Sequence, residues 1–250
     1  MTTVPVARII NLDRSVDRLT TITAKLDSQG IDWQRHPAIA PASPEAAHAH
    51  PLYRPQRMRA LFGRDMSRGE IGCFLSHMAV MEAALQEGAA LALVLEDDAT
   101  PQTTKLRETL ATLSDWLCQT GQARVDWVHL SRPLGKWGRP LATVGDIQVR
   151  RAYRPPLIGS ANLWTRKGMQ DFLHHVARYG MDRPADDAMR ACFCRSGRGA
   201  VLEQPLFGEE GSVSTIDPQN ERTSGANKLV RMRRKGPDYA WATLNLLRKT

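Results

Sequence analysis

Three consecutive carboxylates, Glu96, Asp97 and Asp98, directly follow a short apolar run over residues 91–95. An apolar run of this length predicts a strand buried on both faces, as in the centre of a parallel sheet. The carboxylates would then lie at the carboxyl end of the strand, where open α/β sheets bind ligands. Adjacent carboxylates stay ionised more easily around a cation, and their oxygens suit Mg²⁺ or Mn²⁺. The cluster indicates a metal site that bridges to a substrate diphosphate, with a solvated acidic turn as the alternative.

The elements before this cluster are typical of a nucleotide-binding α/β domain. Residues 6–12 are strand-like, apolar residues recur at helical spacing from Val16 to Leu26, and residues 31–39 return to extended structure. No G-x-G-x-x-G or P-loop glycine pattern occurs there, which disfavours a dinucleotide fold or a P-loop NTPase. Since side chains alternate along a strand, Glu96 and Asp98 are expected on one side and Asp97 on the other.

A long loop and then a capped helix are predicted between the first strands and the acidic cluster. Residues 41–66 show no hydrophobic periodicity and are rich in Pro, Ala, His and Arg, which favours a loop. Ser67 and Glu70 form a capping box that opens the helix, and Gly88 ends it. Within this helix Cys73 is predicted in the core. His77 is either a hydrogen-bonded core residue or a functional group.

Three sequence blocks resemble the signature of glycosyltransferase family 25, which contains lipooligosaccharide galactosyltransferases and collagen galactosyltransferase domains. The blocks are residues 10–15 with Arg18, residues 67–77, and residues 93–98. They follow the family's order, and Glu96 lies 26 positions after Glu70, as the family pattern expects. The resemblance covers roughly residues 6–220 and weakens after residue 130.

The resemblance implies an α/β fold of the GT-A type with a central, mostly parallel sheet. A single catalytic domain would span residues 1–226, with a nucleotide-sugar half over about 1–100 and an acceptor half over about 101–226. The implied reaction is metal-dependent, inverting transfer of galactose from UDP-galactose to a saccharide acceptor in surface glycan or lipooligosaccharide synthesis. The glycan or glycolipid acceptor is not specified by the residues.

The resemblance also implies roles for individual residues. Residues 96–98 would be the counterpart of the D-x-D metal motif, with Asp98 as a direct ligand of Mn²⁺ or Mg²⁺. Glu96 would reach the metal or the donor ribose. Arg14 and Arg18 are alternatives for the same nucleotide contact. The residues expected at the UDP-sugar donor are Asn11, Arg14, Arg18, Glu70, His77, Glu96 and Asp97.

A second acidic site, Asp186 and Asp187, follows Arg183 and Pro184. Both aspartates would stand at a helix N-terminus, where they could simply cap the helix and compensate its dipole. The functional interpretation is a general base, because an inverting transferase needs a carboxylate to take the proton of the acceptor hydroxyl. Inverting GT-A enzymes place this acid at a helix start, so we prefer Asp187, with Asp186 nearly as favoured. No histidine follows His175, so Glu209, Glu210 or solvent would supply any further metal ligand.

The later elements are less distinct. Residues 126–131 predict a strand, residues 132–146 a loop and residues 147–153 an edge strand. Residues 157–165 predict a strand that runs directly into a helix over 166–173.

The basic charge concentrates in the tail, residues 227–250. The formal net charge of +8 indicates an anionic partner. The mixture of basic, aromatic and leucine residues in the tail predicts a basic amphipathic segment on anionic lipid, or alternatively a terminal helix packed on the domain. No RNP, KH or zinc-finger signature is present, so nucleic acid is not an expected partner.

With neither a signal peptide nor an apolar run of membrane-spanning length, the expected location is cytoplasmic, or peripheral on the inner face of the membrane. A metal-dependent phosphohydrolase or nuclease would also use an acidic cluster. It would need a second set of carboxylates nearby, and it leaves the block over residues 67–77 unexplained.

Overall fold

A computed structural model describes residues 4–119, 124–157, 159–209 and 228–248. Its centre is a sheet of eight strands in the order β2-β1-β3-β8-β5-β9-β7-β6, and β4 and β10 form a separate pair. The strands are β1 (Ala7–Asn11), β2 (Trp33–Pro37), β3 (Leu91–Glu96), β4 (Ala99–Pro101), β5 (Trp127–His129), β6 (Gly138–Val144), β7 (Ile147–Ala152), β8 (Ala161–Thr165), β9 (Gly199–Leu202) and β10 (Phe207–Glu209). The helices are α1 (Val16–Asp27), α2 (Pro44–His48), α3 (Pro55–Phe62), α4 (Arg68–Gln86), α5 (Leu106–Gln119), α6 (Arg166–Tyr179), α7 (Ala185–Ser196) and α8 (Lys228–Leu247).

The sheet is mostly parallel. β1 pairs in parallel with β2 and β3, and β5 with β9. β8 runs antiparallel between β3 and β5, and β7 antiparallel between β9 and β6, so six of the eight strands share one direction. This is the α/β fold with a central, mostly parallel sheet that the sequence predicted for a GT-A type transferase.

Strand β3 is buried on both faces, as its apolar sequence predicted. Leu93 and Leu95 pack into the core formed with α1 and α5, whereas Ala92 and Val94 pack into the core formed with α4, α6 and α7. The alternation of the strand therefore divides its side chains between two helical layers. The rigid strand ends at Glu96, which is the first carboxylate of the cluster.

The prediction of a loop over residues 41–66 is wrong, because two short helices, α2 and α3, form there. Pro44 and Pro55 each stand in the first turn of a helix, where their missing N–H groups cost nothing. Ser43 caps α2 by accepting from the Ala46 N–H, and Gly63 ends α3 with a left-handed φ of 73°. These end signals were present, but helices this short leave almost no apolar periodicity.

The loop predicted for residues 132–146 is also wrong. Strand β6 forms a hairpin with β7, and a register shift between Pro140 and Ala142 allows the ladder to continue past the proline. In the order of the sheet, β6, and not β7, is the edge strand on this side, and β2 is the edge strand on the other. An edge strand tolerates a proline because one side of its backbone has no neighbouring strand to bond.

Helix α8 packs against α3 and α7. Ala242 is fully buried, and Asn245 Nδ2 donates to the Cys194 carbonyl at 2.7 Å. The opposite side of α8 exposes Met232, Leu244 and Leu247. Within the described part of the chain, no helix has the length and apolar composition needed to cross a membrane. The domain boundary predicted at 226/227 stays a prediction, since residues 210–227 lie outside the described ranges.

Candidate functional site

A cavity of about 140 Å³ opens at the carboxyl ends of β1 and β3. The parallel register, which sets Ile10 opposite Glu96, brings these two strand ends together. Residues 38–41, which follow β2, and the first turns of α4 complete the wall. The polar residues on the wall of this first cavity are Arg14, Arg18, Arg68, Ser76, His77, Glu96, Asp97 and Asp98.

Asp98 is the most perturbed carboxylate of the cluster. Its Oδ1 atom is buried and has no hydrogen-bond partner among the described residues. Burial, together with the charges of Glu96, Asp97 and Glu209, raises the pKa of Asp98 to about 7. A bound cation would compensate the negative charge of this buried carboxylate and lower its pKa.

Asp97 lies in the same cavity, although strand alternation predicted it on the other side. The reason is that β3 ends at Glu96 and the chain turns at residues 97–98, so alternation no longer applies. Asn11 Nδ2 donates to Asp97 Oδ2 at 2.8 Å, and Arg18 Nη1 lies 3.3 Å from Asp97 Oδ1. Both oxygens of Asp97 are therefore engaged by the protein.

His77 and Glu96 form a pair on the wall. His77 Nε2 lies 3.0 Å from Glu96 Oε1, and the ring is 1% exposed, with Nδ1 buried and unpartnered among the described residues. Gly159 packs over this pair, since a Cβ there would lie 3.4 Å from Glu96 Oε1. A methyl group at position 159 would therefore make ordinary van der Waals contact with the pair.

Cys73 packs against the core, as predicted, and also lines the first cavity. It stands one turn before His77 on α4, and this spacing was the signal that both face the same way. Burial raises the pKa of the Cys73 thiol well above its ordinary value. Ligand atoms of Cys73, His77 and Glu96 all lie within 4.8 Å of one another.

Asn11 and Glu70 act through their neighbours. Asn11 is 2% exposed and accepts from Arg35 Nε at 3.0 Å while it donates to Asp97. Glu70 completes the predicted capping box with Ser67 and binds Arg64 through both carboxylate oxygens at 2.6 Å. Neither residue is among the described residues that line the first cavity. Their donor contacts stay predictions.

Arg68 is a basic wall residue that the sequence did not single out. It stands at the first position of α4 and donates to the Ala42 carbonyl at 3.2 Å. With Arg14 and Arg18 it supplies a third guanidinium to the same cavity. Arginines suit phosphate oxygens because their N–H groups form a planar fork.

Asp186 and Asp187 stand in the first turn of α7, as predicted, but in different surroundings. Asp187 is 6% exposed and lies 3.9 Å from Arg190 Nη1. Asp186 is half-buried, and its Oδ1 accepts from the Asp187 N–H at 2.8 Å. Neither aspartate lines the first cavity as the described residues form it, so their role as general base stays a prediction.

The donor set fits a hard divalent cation. Carboxylates of Glu96 and Asp98 share the cavity wall, and the buried Asp98 Oδ1 lacks a protein partner among the described residues. Glu209 is opposite Ala99 in the β4–β10 pair, which explains its influence on Asp98. Glu210 lies outside the described residues. Oxygen donors of this kind match Mg²⁺ or Mn²⁺.

Gly72 fixes the approach of α4 to the wall segment 38–41. A Cβ at Gly72 would lie 2.4 Å from the Ile39 carbonyl oxygen and 3.1 Å from Pro41 Cδ. Gly72→Ala should therefore push back this wall and lower the free energy of unfolding by about 1–3 kcal/mol, measured by urea unfolding. Gly135→Ala is the control, because no atom lies within 4 Å of its added Cβ. Equal stability of the two variants would contradict the close approach.

Asp98 should make the stability of the metal-free protein depend on pH. Because its folded-state pKa is raised to about 7 from 3.8, the folded protein binds the proton more tightly than the unfolded chain. The contribution of Asp98 to stability is therefore present below about pH 4 and is lost as the pH rises towards 7. In EDTA, urea unfolding at pH 5 and pH 8 should show a larger loss for wild type than for Asp98→Asn. Parallel losses would contradict the raised pKa.

Comparisons with known proteins find similarity over part of the chain. Residues 6–120 match the family model described as "Glycosyltransferase family 25 (LPS biosynthesis protein)". A glycosyltransferase 25 family member of Anopheles gambiae is 29% identical over 154 residues, which are 56% of this chain and 26% of that protein. The human inactive glycosyltransferase 25 family member 3 is 50% identical over 36 residues, 14% of this chain and 6% of that protein. The chain thus spans about a quarter or less of the length of these relatives.

Solved structures similar to this one include a glycosyltransferase involved in glycosylation of the major capsid of PBCV-1. It covers 96% of this chain and 100% of its own, with a TM-score of 0.42 and 8% identity. Mannose-1-phosphate geranyltransferase of Thermus thermophilus covers 82% and 75%, with a TM-score of 0.34 and 12% identity.

The matched residues 6–120 include strands β1 and β3, whose carboxyl ends carry the acidic site, and helix α4 on its wall. Over residues 6–120, somewhat less than half of the chain, the sequence is similar to glycosyltransferase family 25. The resemblance of the three sequence blocks is thereby confirmed.

Proposed function

We propose that this protein is a metal-dependent, inverting glycosyltransferase that moves galactose from UDP-galactose onto a saccharide acceptor in surface glycan or lipooligosaccharide synthesis. The observation that carries the proposal is the buried, unpartnered Oδ1 of Asp98 beside Glu96 in a cavity that also carries arginines. This combination suits a cation and a diphosphate together, because the cation meets the carboxylates and the guanidinium groups meet the phosphate oxygens.

Different side chains of the first cavity would bind different parts of the donor. Asp98 and Glu96 would hold Mn²⁺ or Mg²⁺, which when bound stabilises the negative charge of the departing UDP. Arg14 and Arg68 would contact the phosphates. Arg18 is already paired with Asp97, at 3.3 Å, so it would hold Asp97 in place as well as face the donor. His77 would orient Glu96 through its hydrogen bond.

The acceptor hydroxyl would lose its proton to Asp186 or Asp187 as its oxygen attacks the anomeric carbon from the face opposite UDP. Asp186 is the more accessible of the two, since it is half-buried, whereas Asp187 is buried and lies 3.9 Å from Arg190. Asp186 would therefore be the base and Asp187 its support in the first turn of α7.

An anionic membrane surface is a further proposed partner. The exposed Leu244, Leu247 and Arg248 on the outer side of α8 would contact it, which would locate the protein on the inner face of the cytoplasmic membrane. Co-sedimentation with vesicles of anionic and of neutral phospholipid tests this; equal recovery with both would refute it.

The function itself is tested by calorimetric titration of UDP into the full chain. With Mn²⁺ present UDP should bind, and EDTA should abolish the binding because the diphosphate would face uncompensated carboxylates. Binding that is indifferent to EDTA would contradict the metal-dependent proposal. Failure of UDP to bind, alongside binding of another nucleotide, would refute the choice of donor.

A further inference from the structure

A second cavity, of about 330 Å³, lies between α3, α6, α7 and α8. It shares no wall residue with the first cavity in the part of the chain that the structure describes. The proposed binding of the donor and the metal, and the proposed general base, use none of the residues that line the second cavity. The side chains that characterise it are Arg57, Tyr179, Asp182, Arg183, Arg195 and Trp241.

Three guanidinium groups converge on this second cavity. Arg57 and Arg195 each lie 5.7 Å from the ring centroid of Tyr179, and Arg195 also lies 5.4 Å from that of Trp241. Burial is the largest cause that lowers the pKa of His175 to about 4, and the charges of Arg183, Arg195 and Arg57 add to it. His175 on this wall is therefore uncharged at neutral pH and adds no charge to the cavity.

The arginines are held in place but keep donors for a ligand. Arg183 Nε donates to Asp182 Oδ1 at 2.9 Å, and Arg57 Nη2 lies 3.2 Å from Asp182 Oδ2. Asp182 is 4% exposed and thus fixes both guanidinium groups. A guanidinium has five N–H donors, so these contacts use only part of each fork. With Asp182 and Asp238 ionised, three positive charges face two negative ones on the wall.

The same wall offers aromatic surface beside the charge. The rings of Tyr179 and Trp241 line it, and such rings give apolar area with a polar handle. Small-molecule sites combine surfaces of this kind with a few placed polar groups. Because Arg57 and Arg195 lie over these rings, the rings hold the guanidinium groups in place, and the N–H edges of the guanidinium groups fit the carboxylate or phosphate of an anionic sugar.

The second cavity is tied to the candidate base by one short segment. Arg183 lines the cavity, and Asp186 follows three residues later at the start of α7. Three residues span at most roughly 11 Å. A short oligosaccharide is long enough to cover such a distance.

We propose that the second cavity binds a carboxylate or phosphate substituent of the acceptor saccharide. Arg57, Arg183 and Arg195 hold the charged sugar while the acceptor hydroxyl lies at the start of α7. The proposal rests on the proposed function and narrows its acceptor to an anionic glycan.

Ligand-observed saturation-transfer NMR on the full chain, without UDP or metal, tests the proposal. The probes are glucuronic acid, glucose 6-phosphate and uncharged glucose, each also displaced with inorganic phosphate. One or both charged sugars should bind at least about ten-fold more tightly than glucose, the gain expected for charge-assisted hydrogen bonds; which one binds identifies the substituent. Glucose binding as tightly as both would overturn the proposal. Inorganic phosphate that matches glucose 6-phosphate would overturn the role of the sugar.

A matched pair of variants on α3 locates the binding. Arg57 and Arg59 are both exposed and ion-paired, the first to Asp182 and the second to Asp65 at 2.9 Å. Arg57→Gln should weaken binding of the charged sugar by about ten-fold. Arg59→Gln should leave that binding unchanged. Equal effects would overturn the proposal. Arg195→Gln repeats the measurement if Arg57→Gln fails to fold.

The two proposals fail separately. Sugar binding that is retained by a chain unable to bind any nucleotide would refute the transferase and keep the anionic site. Metal-dependent UDP binding without binding of either charged sugar would refute the anionic site and keep the transferase.

Discussion

Asp98→Asn should abolish metal-dependent UDP binding and slow sugar transfer by about 10²–10³-fold or more, the loss typical of removing a group that stabilises transition-state charge. Asp98 Oδ1 is buried without a partner in the described chain, and the pKa of this carboxyl is raised to about 7, so neutral Asn fits the apo site well. The folded protein should therefore be retained, or become more stable above pH 7, while the metal is lost. Calorimetry and Mn²⁺ electron paramagnetic resonance measure the two bindings.

Asp97→Asn is the matched control for this experiment. It removes one charge from the adjacent residue, but both Asp97 oxygens are engaged by Asn11 and Arg18. Asp97→Asn should keep Mn²⁺ binding and weaken chiefly the hold on Arg18. If Asp97→Asn loses the metal and Asp98→Asn keeps it, the assignment of Asp98 as the direct ligand is wrong.

The parts of the site that follow local rules could be predicted from the sequence. The apolar run of β3 and the capping box of α4 each consist of residues close together in the sequence. The end of the strand and the start of the helix could therefore be predicted. Parallel pairing of β1 with β3 then brings their carboxyl ends together. These two elements account for Glu96, Asp98 and His77 lying at one cavity.

What sequence reasoning missed depends on turns and on contacts between distant elements. Asp97 joins the cavity because the strand stops one residue earlier, and the stop has no apolar signal. The place of Cys73 on the cavity wall was missed, because an apolar position on a helix does not distinguish a cavity wall from a packed interior.

The second cavity escaped prediction for the same reason. It forms where α3, α6, α7 and α8 meet. Two of its wall residues, Arg57 and Trp241, lie more than 180 positions apart in the sequence. A basic, aromatic tail has the same composition whether it packs on a domain or on lipid. The burial of Ala242 and Asn245 reveals which side of α8 faces the protein.

The choice between Asp186 and Asp187 is open to a direct test. Asp186→Asn should lower kcat by about 10²–10⁴-fold, the contribution typical of general base catalysis, while UDP binding and the free energy of unfolding stay close to wild type. Asp187 is 6% exposed and faces Arg190 at 3.9 Å. Burial is the largest cause that raises the pKa of Asp238 on α8, and the charge of Asp187 adds to it.

Asp187→Asn should therefore lower the free energy of unfolding by about 1–3 kcal/mol, because the buried Arg190 loses a charged neighbour. Its kcat should fall less than that of Asp186→Asn. The pH profile separates a base from a supporting residue: wild type and Asp187→Asn should keep the acidic limb of kcat against pH, and Asp186→Asn should lose it. A folded Asp187→Asn protein that lacks this limb, beside an Asp186→Asn protein that keeps it, would make Asp187 the base, as the sequence favoured.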